Sequence, residues 1–548
     1  MIEAAIHPII YVRGYAMTQS EIDDTVADPY MGFNIGSCKV RQLWNGDVKK
    51  YFFESPLVRL LKQFRYTDVY HEGANLVAES QQFAAGADPG RRDVPYRSIV
   101  IYRYYEPSTE DLGIGLEPRM ERFATGLGEL ILALRDRIYP QGAATEITAE
   151  DMAAGKLPYD KFRVYLVAHS MGGLVCRAFL QNPDYDAQKA RELVDKIFTY
   201  ATPHNGIDIA LLGNVPNWLK LYSANAFNRD EIARLLALNP PDRDGDSVDM
   251  LTGFPSSRMF NLVGTNPADY KVAAGLSSVA AGEASDGLVR IKNATTRGKN
   301  ANGQIEASPH AFVHRSHSGY FGIVNSEEGY QNMVRFLYGD VRADGYLEID
   351  ELTLPPAVEE QRAANREVHA SYQFEVAISI RGKAWQLHRR TVNENSAIFR
   401  KFEDLFSGKD PNTGKWIPNR DNSPLLFNVF LDTKQSQAEN TVSFAADLCV
   451  RASDYEVDKA LFFKDHYDGG YIFRDMIMLI AEHTLMAGGS PSWAIRYQVA
   501  GERNKGWQDA EVVEDEERLT FVIPIVQETA PGIRGRLRVE TRFWNDWQ

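Results

Sequence analysis

Apolar residues are spaced in two different ways along this chain, and the change of spacing divides it. Through roughly the first 340 residues, short apolar runs alternate with segments whose apolar positions recur every three or four residues. Ile9-Ile10-Tyr11-Val12, Ser98-Ile99-Val100-Ile101-Tyr102, Arg163-Val164-Tyr165-Leu166-Val167, Lys196-Ile197-Phe198-Thr199-Tyr200 and Met259-Phe260-Asn261-Leu262-Val263 read as five buried strands. Phe123 to Leu134 reads as a helix, because Leu127, Leu130, Ile131 and Leu134 fall on one face. Gly172 to Leu180 reads as a helix directly after the third strand, and Glu328 to Tyr338 as a final one. Strands alternating with helices predict a mostly parallel sheet covered on both faces. Two long excursions, residues 15–95 and 206–256, exceed what such a unit needs, and long excursions in a compact domain are commonly functional.

Beyond this region the period becomes two. Phe374, Val376, Ile378 and Ile380 alternate with Glu375, Ala377 and Ser379. Leu537, Val539 and Phe543 alternate with arginines and a glutamate. Leu425 to Leu431, Val442 to Cys449, Ile477 to Ile480, Trp493 to Tyr497 and Leu519 to Val526 are further strand candidates, and together they predict an antiparallel sandwich. The expected division is 1–342 for the first domain, 343–370 for a linker marked by Pro355-Pro356, and 371–548 for the β domain.

Composition narrows the classes. Hydrophobic residues make up 44% and charged residues 24%, so the chain is neither disordered nor fibrous. A formal charge of −14 argues against wholesale binding to nucleic acid or anionic lipid. Cys38, Cys176 and Cys449 are too few and too scattered for a disulfide framework or a zinc site. No basic, apolar leader opens the sequence and no run reaches the ~18 apolar residues of a spanning helix. The expectation is a cytoplasmic protein, or one exported without a cleavable signal peptide.

The most specific motif is Val164-Tyr165-Leu166-Val167-Ala168-His169-Ser170-Met171-Gly172-Gly173: an apolar strand, a small-x-Ser-x-Gly turn, then a helix. A turn that lifts a serine hydroxyl above a sheet is crowded, so the residues two before and two after must be small. This resembles the nucleophile elbow of the α/β-hydrolase superfamily, with Ala168 where the common form has Gly, as in lipase branches. The resemblance implies a sheet with a lid insertion at about 206–256 and a chain order of serine, acid, histidine. Ala284-Ser285-Asp286-Gly287-Leu288-Val289 resembles the acid-bearing segment of bacterial lipases, which makes Asp286 the candidate acid. His310, His314 and His317 are candidate bases; His317, just before the final helix, matches the family's placement best. The resemblance also implies an oxyanion hole from the amides of Met171 and Tyr15. Lipases of this type read His-Gly where this chain has Arg13-Gly14. Arg13 either pairs with an acidic neighbour or supplies charge for an anionic substrate.

Thr202-Pro203-His204-Asn205-Gly206 is similar to segments of lipases and of GPI inositol-deacylase-like esterases; His204 precedes the acid and reads as structural. The resemblance covers residues 8–338. It implies a serine esterase, with lipase or phospholipase activity ahead of small-ester cleavage, and no cofactor or metal. Lipid or another ester would be the substrate. The lid's Ile209, Leu211, Leu212, Trp218, Leu219 and Leu221 would either touch a lipid surface transiently or cover the site. The β domain would bind lipid, a protein partner or the first domain.

Other motifs carry less. Asp340 to Glu351 partly matches a calcium loop, but Arg342 sits among the ligand positions and the stretch reads as an acidic turn between domains. Arg389-Arg390 reads as a solvated face, and Trp544 and Trp547 as a terminal strand packing its aromatics. Three rival readings stand beside the esterase: an amidase or GPI-deacylase-like enzyme on the same triad, an antibacterial lipase effector held off by an immunity partner, and a non-catalytic binding protein on a hydrolase scaffold.

Overall fold

Ile9–Val12 forms β1, and all four of its side chains are buried, as a strand covered on both faces requires. The structure is a computed structural model that describes residues 5–14, 33–42, 45–69, 94–104, 119–206, 229–267, 284–319, 322–364, 366–435, 441–458, 464–485, 491–514 and 518–545. Tyr15, Trp547 and the lid residues 207–228 lie outside them. Contacts divide the chain into two units: residues 5–310 with 314–333, and residues 334–548 with 311–313.

The first unit is organised by a seven-stranded sheet. Its strands are β1, β2 (Thr67–Val69), β3 (Ser98–Tyr102), β4 (Val164–His169), β5 (Val194–Tyr200), β6 (Met259–Gly264) and β7 (His310–Val313). The spatial order is β7-β6-β5-β4-β1-β3-β2. All five pairings from β6 across to β2 are parallel. The chain therefore builds β2 and β3 on one side of β1, then crosses to build β4 onward on the other. Such a reversal opens a crevice at the carboxyl ends of the central strands. Helix α1 (Met120–Ile138) buries Phe123, Leu127, Leu130, Ile131, Leu134 and Ile138, the face its spacing predicts. It shares a core with α2 (Met171–Gln181), every residue of which is buried. Near the other end of the unit, α3 (Glu327–Tyr338) places the backbone carbonyl of Gly329 within 3.3 Å of the Tyr200 hydroxyl. The expected α/β-hydrolase fold is present, with each of the five sequence-read strands in place.

The second unit is antiparallel. Its two larger sheets share one apolar core. One runs β11-β8-β18-β17-β16, from β8 (Val341–Thr353), β11 (Leu425–Leu431), β16 (Glu511–Glu514), β17 (Leu519–Gln527) and β18 (Gly532–Phe543). The other runs β10-β9-β12-β13-β14-β15, from β9 (Ser371–Ile380), β10 (Gln386–Arg390), β12 (Thr441–Ala452), β13 (Gly470–Leu485), β14 (Pro491–Val499) and β15 (Gln508–Asp509).

Strand β8 corrects the expected acidic turn and linker. It is thirteen residues long and lies between β11 and β18. Ala343, Leu347 and Ile349 face the core. Two of its acidic residues are buried but matched: Asp344 meets Arg342 at 3.0 Å and Arg542 at 3.2 Å, and Glu348 meets Arg536 and Arg538 at 2.6 and 2.7 Å. Three of these arginines come from a strand nearly two hundred residues later, so no local reading sees the neutralisation. Gly345 is required there, because a Cβ would stand 2.3 Å from the Phe427 ring. Pro356, read as a linker signal, instead begins a helix (Pro356–Ala363), where its missing N–H costs nothing.

Arg390 departs from the expected solvated face by donating to the Ser396 carbonyl at 2.6 Å, while the Arg389 side chain is 41% exposed and pairs with Glu394 at 2.7 Å. Trp544 packs as a terminal aromatic should, buried against Phe336 and Phe430, with its indole N–H on the Phe336 carbonyl. Among the described residues no helix is long and apolar enough to cross a membrane.

Candidate active site

Strand β4 ends at His169 and α2 begins at Met171, which leaves Ser170 alone to make the corner. Its backbone takes φ 52° and ψ −126°, a conformation that costs a side-chain-bearing residue about 1–3 kcal/mol. Two backbone hydrogen bonds hold it there: Ser170 N–H to the Tyr200 carbonyl at 2.9 Å and Gly173 N–H to the Ser170 carbonyl at 3.0 Å. The small neighbours are needed for contact reasons. A Cβ on Gly172 would lie 2.2 Å from the Val12 carbonyl oxygen, and one on Gly14 would lie 2.7 Å from Ser170 Cβ. Ala168 is wholly buried in β4. The loop leaving β1 thus runs directly against the serine.

Asp286 and His317 reach the same corner from two loops. His317 Nδ1–H donates to Asp286 Oδ2 at 2.9 Å, and His317 Nε2 lies 2.9 Å from Ser170 Oγ. With the Nδ1 proton held by the carboxylate, Nε2 is the nitrogen that accepts from the hydroxyl. Asp286 is 1% exposed and His317 3%. The second carboxylate oxygen, Oδ1, accepts from the amides of Leu288 at 3.0 Å and Val289 at 2.7 Å. This is the Asx turn that Asp-Gly sequences favour, with Gly287 at φ 101°. The two loops are tied by the His317 amide donating to the Asp286 carbonyl at 3.0 Å. Gly264, at the end of β6, makes room for both: a Cβ there would stand 2.6 Å from the Arg315 carbonyl and 2.8 Å from Asp286 Cβ. An ion pair of 2.7 Å between Arg315 and Glu328 fastens the histidine loop to α3.

His169 adds a support that the sequence did not advertise. Its Nε2–H donates to the His317 carbonyl at 2.9 Å, beneath the imidazole it positions. Burial drives its pKa well below the ordinary histidine value, and the nearby His317 and Arg13 push the same way, so it stays neutral. The amides of Leu288 and Val289 were equally unremarked, although Asp286-Gly287 carried the signal for them.

Of the three histidines, only His317 meets both Ser170 and Asp286. His310 Nδ1–H donates to the Ser308 carbonyl at 2.9 Å, and His314 Nδ1 lies 3.4 Å from Thr265 Oγ1. His204 is fully buried, 3.2 Å from Thr199 Oγ1, with its carbonyl accepting from Arg177 at 2.7 Å. Burial holds its pKa well below the usual value. Met171, the first residue of α2, stands where a helix N-terminus presents amides to negative charge. Tyr15 lies outside the described residues. The Arg13 carbonyl, next in the same loop, accepts from the Tyr104 hydroxyl at 2.6 Å.

Chemically, this is a hydroxyl on a strained corner, an imidazole able to take its proton, and a carboxylate fixed on the far side of that imidazole. A family model of the PGAP1-like alpha/beta domain matches residues 151–229, the stretch that holds β4, Ser170, α2 and β5. No curated protein matches the chain. Among solved structures, the crystal structure of Bacillus licheniformis lipase BlEst2 in propeptide form aligns over 89% of this chain and 96% of that one. The identity is 11% and the TM-score 0.26. The matched segment supports a hydrolase of esterase type.

Proposed function

We propose that this chain is a serine hydrolase that cleaves carboxylic esters, with lipids or phospholipids as the substrate class. The observation that carries the reading is the relay of two 2.9 Å contacts from Asp286 through His317 to Ser170, on a residue held at φ 52°. In the proposed reaction Ser170 Oγ attacks the ester carbonyl while His317 Nε2 takes its proton. Asp286 holds the imidazole in the required tautomer and balances its charge once protonated. The amides of Met171 and Tyr15 would receive the oxyanion. Collapse of the tetrahedral intermediate expels the alcohol, which takes the proton from His317, and leaves an acyl-serine. Water, deprotonated by the same imidazole, then releases the carboxylic acid. The lipid preference rests on the motif resemblance around Ser170, Thr202-Pro203-His204 and Asp286.

The test is hydrolysis of p-nitrophenyl esters of increasing acyl length by the wild type and Ser170→Ala, with a serine-directed phosphonate as a label. We expect activity in the wild type, its loss in Ser170→Ala, and labelling of Ser170 alone. An optimum at long chains supports lipids as substrates, and an optimum at acetate replaces them with small esters. No hydrolysis at any length, together with no labelling of Ser170, would overturn the reading in favour of a binding protein on this scaffold.

A further inference from the structure

His169 lies against the relay, yet no step of the proposed reaction uses it. It closes β4 and directly precedes Ser170 in the chain. Its ring packs on that of His317, with centroids 4.9 Å apart and planes tilted by 41°. Its Nε2–H is spent on the His317 carbonyl at 2.9 Å, while Ser170 Oγ faces His317 Nε2, so His169 is not the base. Nor is it a charge, since burial above all, and then His317 and Arg13, hold its pKa well below the ordinary value. A neutral ring is what this place requires, because the proposed reaction puts a positive charge on the neighbouring imidazole. What His169 offers is its hydrogen bond.

That bond joins positions 148 apart, the residue before the nucleophile and the base itself. The other peptide group of His317 is held from the opposite partner: its amide donates to the Asp286 carbonyl at 3.0 Å. The amide is thus tied to the acid's loop and the carbonyl to the nucleophile's neighbour. With both groups fixed, the direction of the side chain is fixed. The ring is then aimed so that Nδ1 meets Asp286 and Nε2 meets Ser170, each at 2.9 Å. Without the carbonyl tether, His317 is free to pivot about its bonds to Asp286 and to leave Ser170. A misplacement of about 1 Å in such an arrangement costs on the order of 10²-fold in rate.

We propose that His169 is a positioning residue, whose Nε2–H sets the approach of His317 to Ser170 by tethering the His317 backbone to the nucleophile corner. The proposal rests on the serine-hydrolase reading and deepens it. It requires a neutral donor at this position and not an imidazole as such.

The test compares His169→Gln, whose side-chain amide is a neutral donor of similar reach, with His169→Leu, which donates nothing. On a p-nitrophenyl ester, kcat should fall about 10²-fold in His169→Leu with KM within about twofold, because alignment is lost and ground-state binding is not. His169→Gln should stay within about fivefold of the wild type. Combined with His317→Ala, His169→Leu should lower the remaining activity by less than about twofold, since a residue acting through His317 has nothing left to hold. A residue serving only the fold would lower that remaining activity again by its full factor. Should His169→Leu fail to fold, His169→Met fills the same space with an adaptable side chain and no donor. Turnover in the leucine variant equal to the wild type overturns the proposal. So does a glutamine variant as slow as the leucine one, or a loss that persists undiminished beside His317→Ala. Phosphonate labelling of Ser170 separates this proposal from the ester reading. Labelling that slows in His169→Leu and recovers in His169→Gln, with no ester turnover in the wild type, defeats the ester reading alone. Wild-type turnover that His169→Leu leaves unchanged defeats this proposal alone, and a wild type that neither turns over nor labels defeats both.

Discussion

Asp286 and Asp344 are both buried carboxylates, 1% and 3% exposed, one in each unit. Their surroundings are opposite. Asp286 stands on a loop, with two backbone amides on one oxygen and an imidazole on the other. Asp344 stands inside a strand, with Arg342, Arg542 and the amide of Asn428 around it. Burial alone would raise the pKa of Asp344, but the two guanidiniums and Asn428 outweigh it and the carboxyl titrates below its ordinary value. A carboxylate clamped by permanent cations has its charge cancelled at every useful pH. A carboxylate facing an imidazole has a neighbour whose proton can come and go. The same residue type is a fastener in one region and part of a candidate relay in the other, and the partner makes the difference.

The sharpest way to break this comparison is to neutralise each acid without changing its shape. Asp286→Asn should lower kcat/KM for an ester by about 10⁴-fold, because the wrong tautomer of His317 then faces Ser170. Its urea midpoint should stay near that of the wild type. His317→Ala should fall by a similar factor, and the double variant hardly further, since the groups act as a unit. Asp344→Asn should do the reverse. Buried Arg342 and the partly exposed Arg542 lose their counterion, at a cost of about 3–5 kcal/mol in urea unfolding, while ester turnover per folded molecule persists. Equal losses of stability in the two variants would dissolve the distinction.

Acid sharpens it further. His7, His169 and His204 are buried in the first unit and kept neutral chiefly by burial, His7 with a pKa of about 4. The unfolded chain, with histidines near 6.5, binds protons that the folded one refuses, so stability falls as pH drops below about 6.5. For His7 this loss is complete below about 4 and amounts to about 3 kcal/mol. The depressed Asp344 behaves differently: its contribution is full above the unfolded carboxylate value near ~4 and is lost only as pH falls through the lower folded value. Urea midpoints between pH 7 and 4.5 should therefore decline less in His7→Gln than in the wild type. Asp344→Asn should leave the slope in that window unchanged.

The smallest effect concerns packing. Gly172→Ala would set a methyl against the Val12 backbone oxygen, and Gly345→Ala against the Phe427 ring. Overpacking costs about 1–3 kcal/mol, and a ring can shift where a strand carbonyl cannot. Thermal unfolding should show the larger loss for Gly172→Ala, accompanied by reduced labelling of Ser170.

How far the sequence could be read depended on how local the cause was. The strands of the first unit were legible because their burial on both faces writes continuous apolar runs. The serine corner was legible because its crowding demands small residues at fixed spacing within five positions, Ala168 through Gly172. Strand β8 was misread because Asp344 and Glu348 are answered by Arg536, Arg538 and Arg542, far along the chain. Among His310, His314 and His317, spacing ranked the candidates without showing which one faces the acid.

The sequence by itself therefore determined the alternation of strands and helices, the strained turn at Ser170 and the Asx turn at Asp286, since each is enforced by neighbours a few bonds away. The tertiary structure decided that His317 meets groups 31 and 147 positions distant at 2.9 Å each. It also decided that Asp344 and Glu348 of β8 lie buried among arginines. Each of these depends on which strand lies beside which, a relation set by the packing of the folded sheets and not by any short stretch of chain.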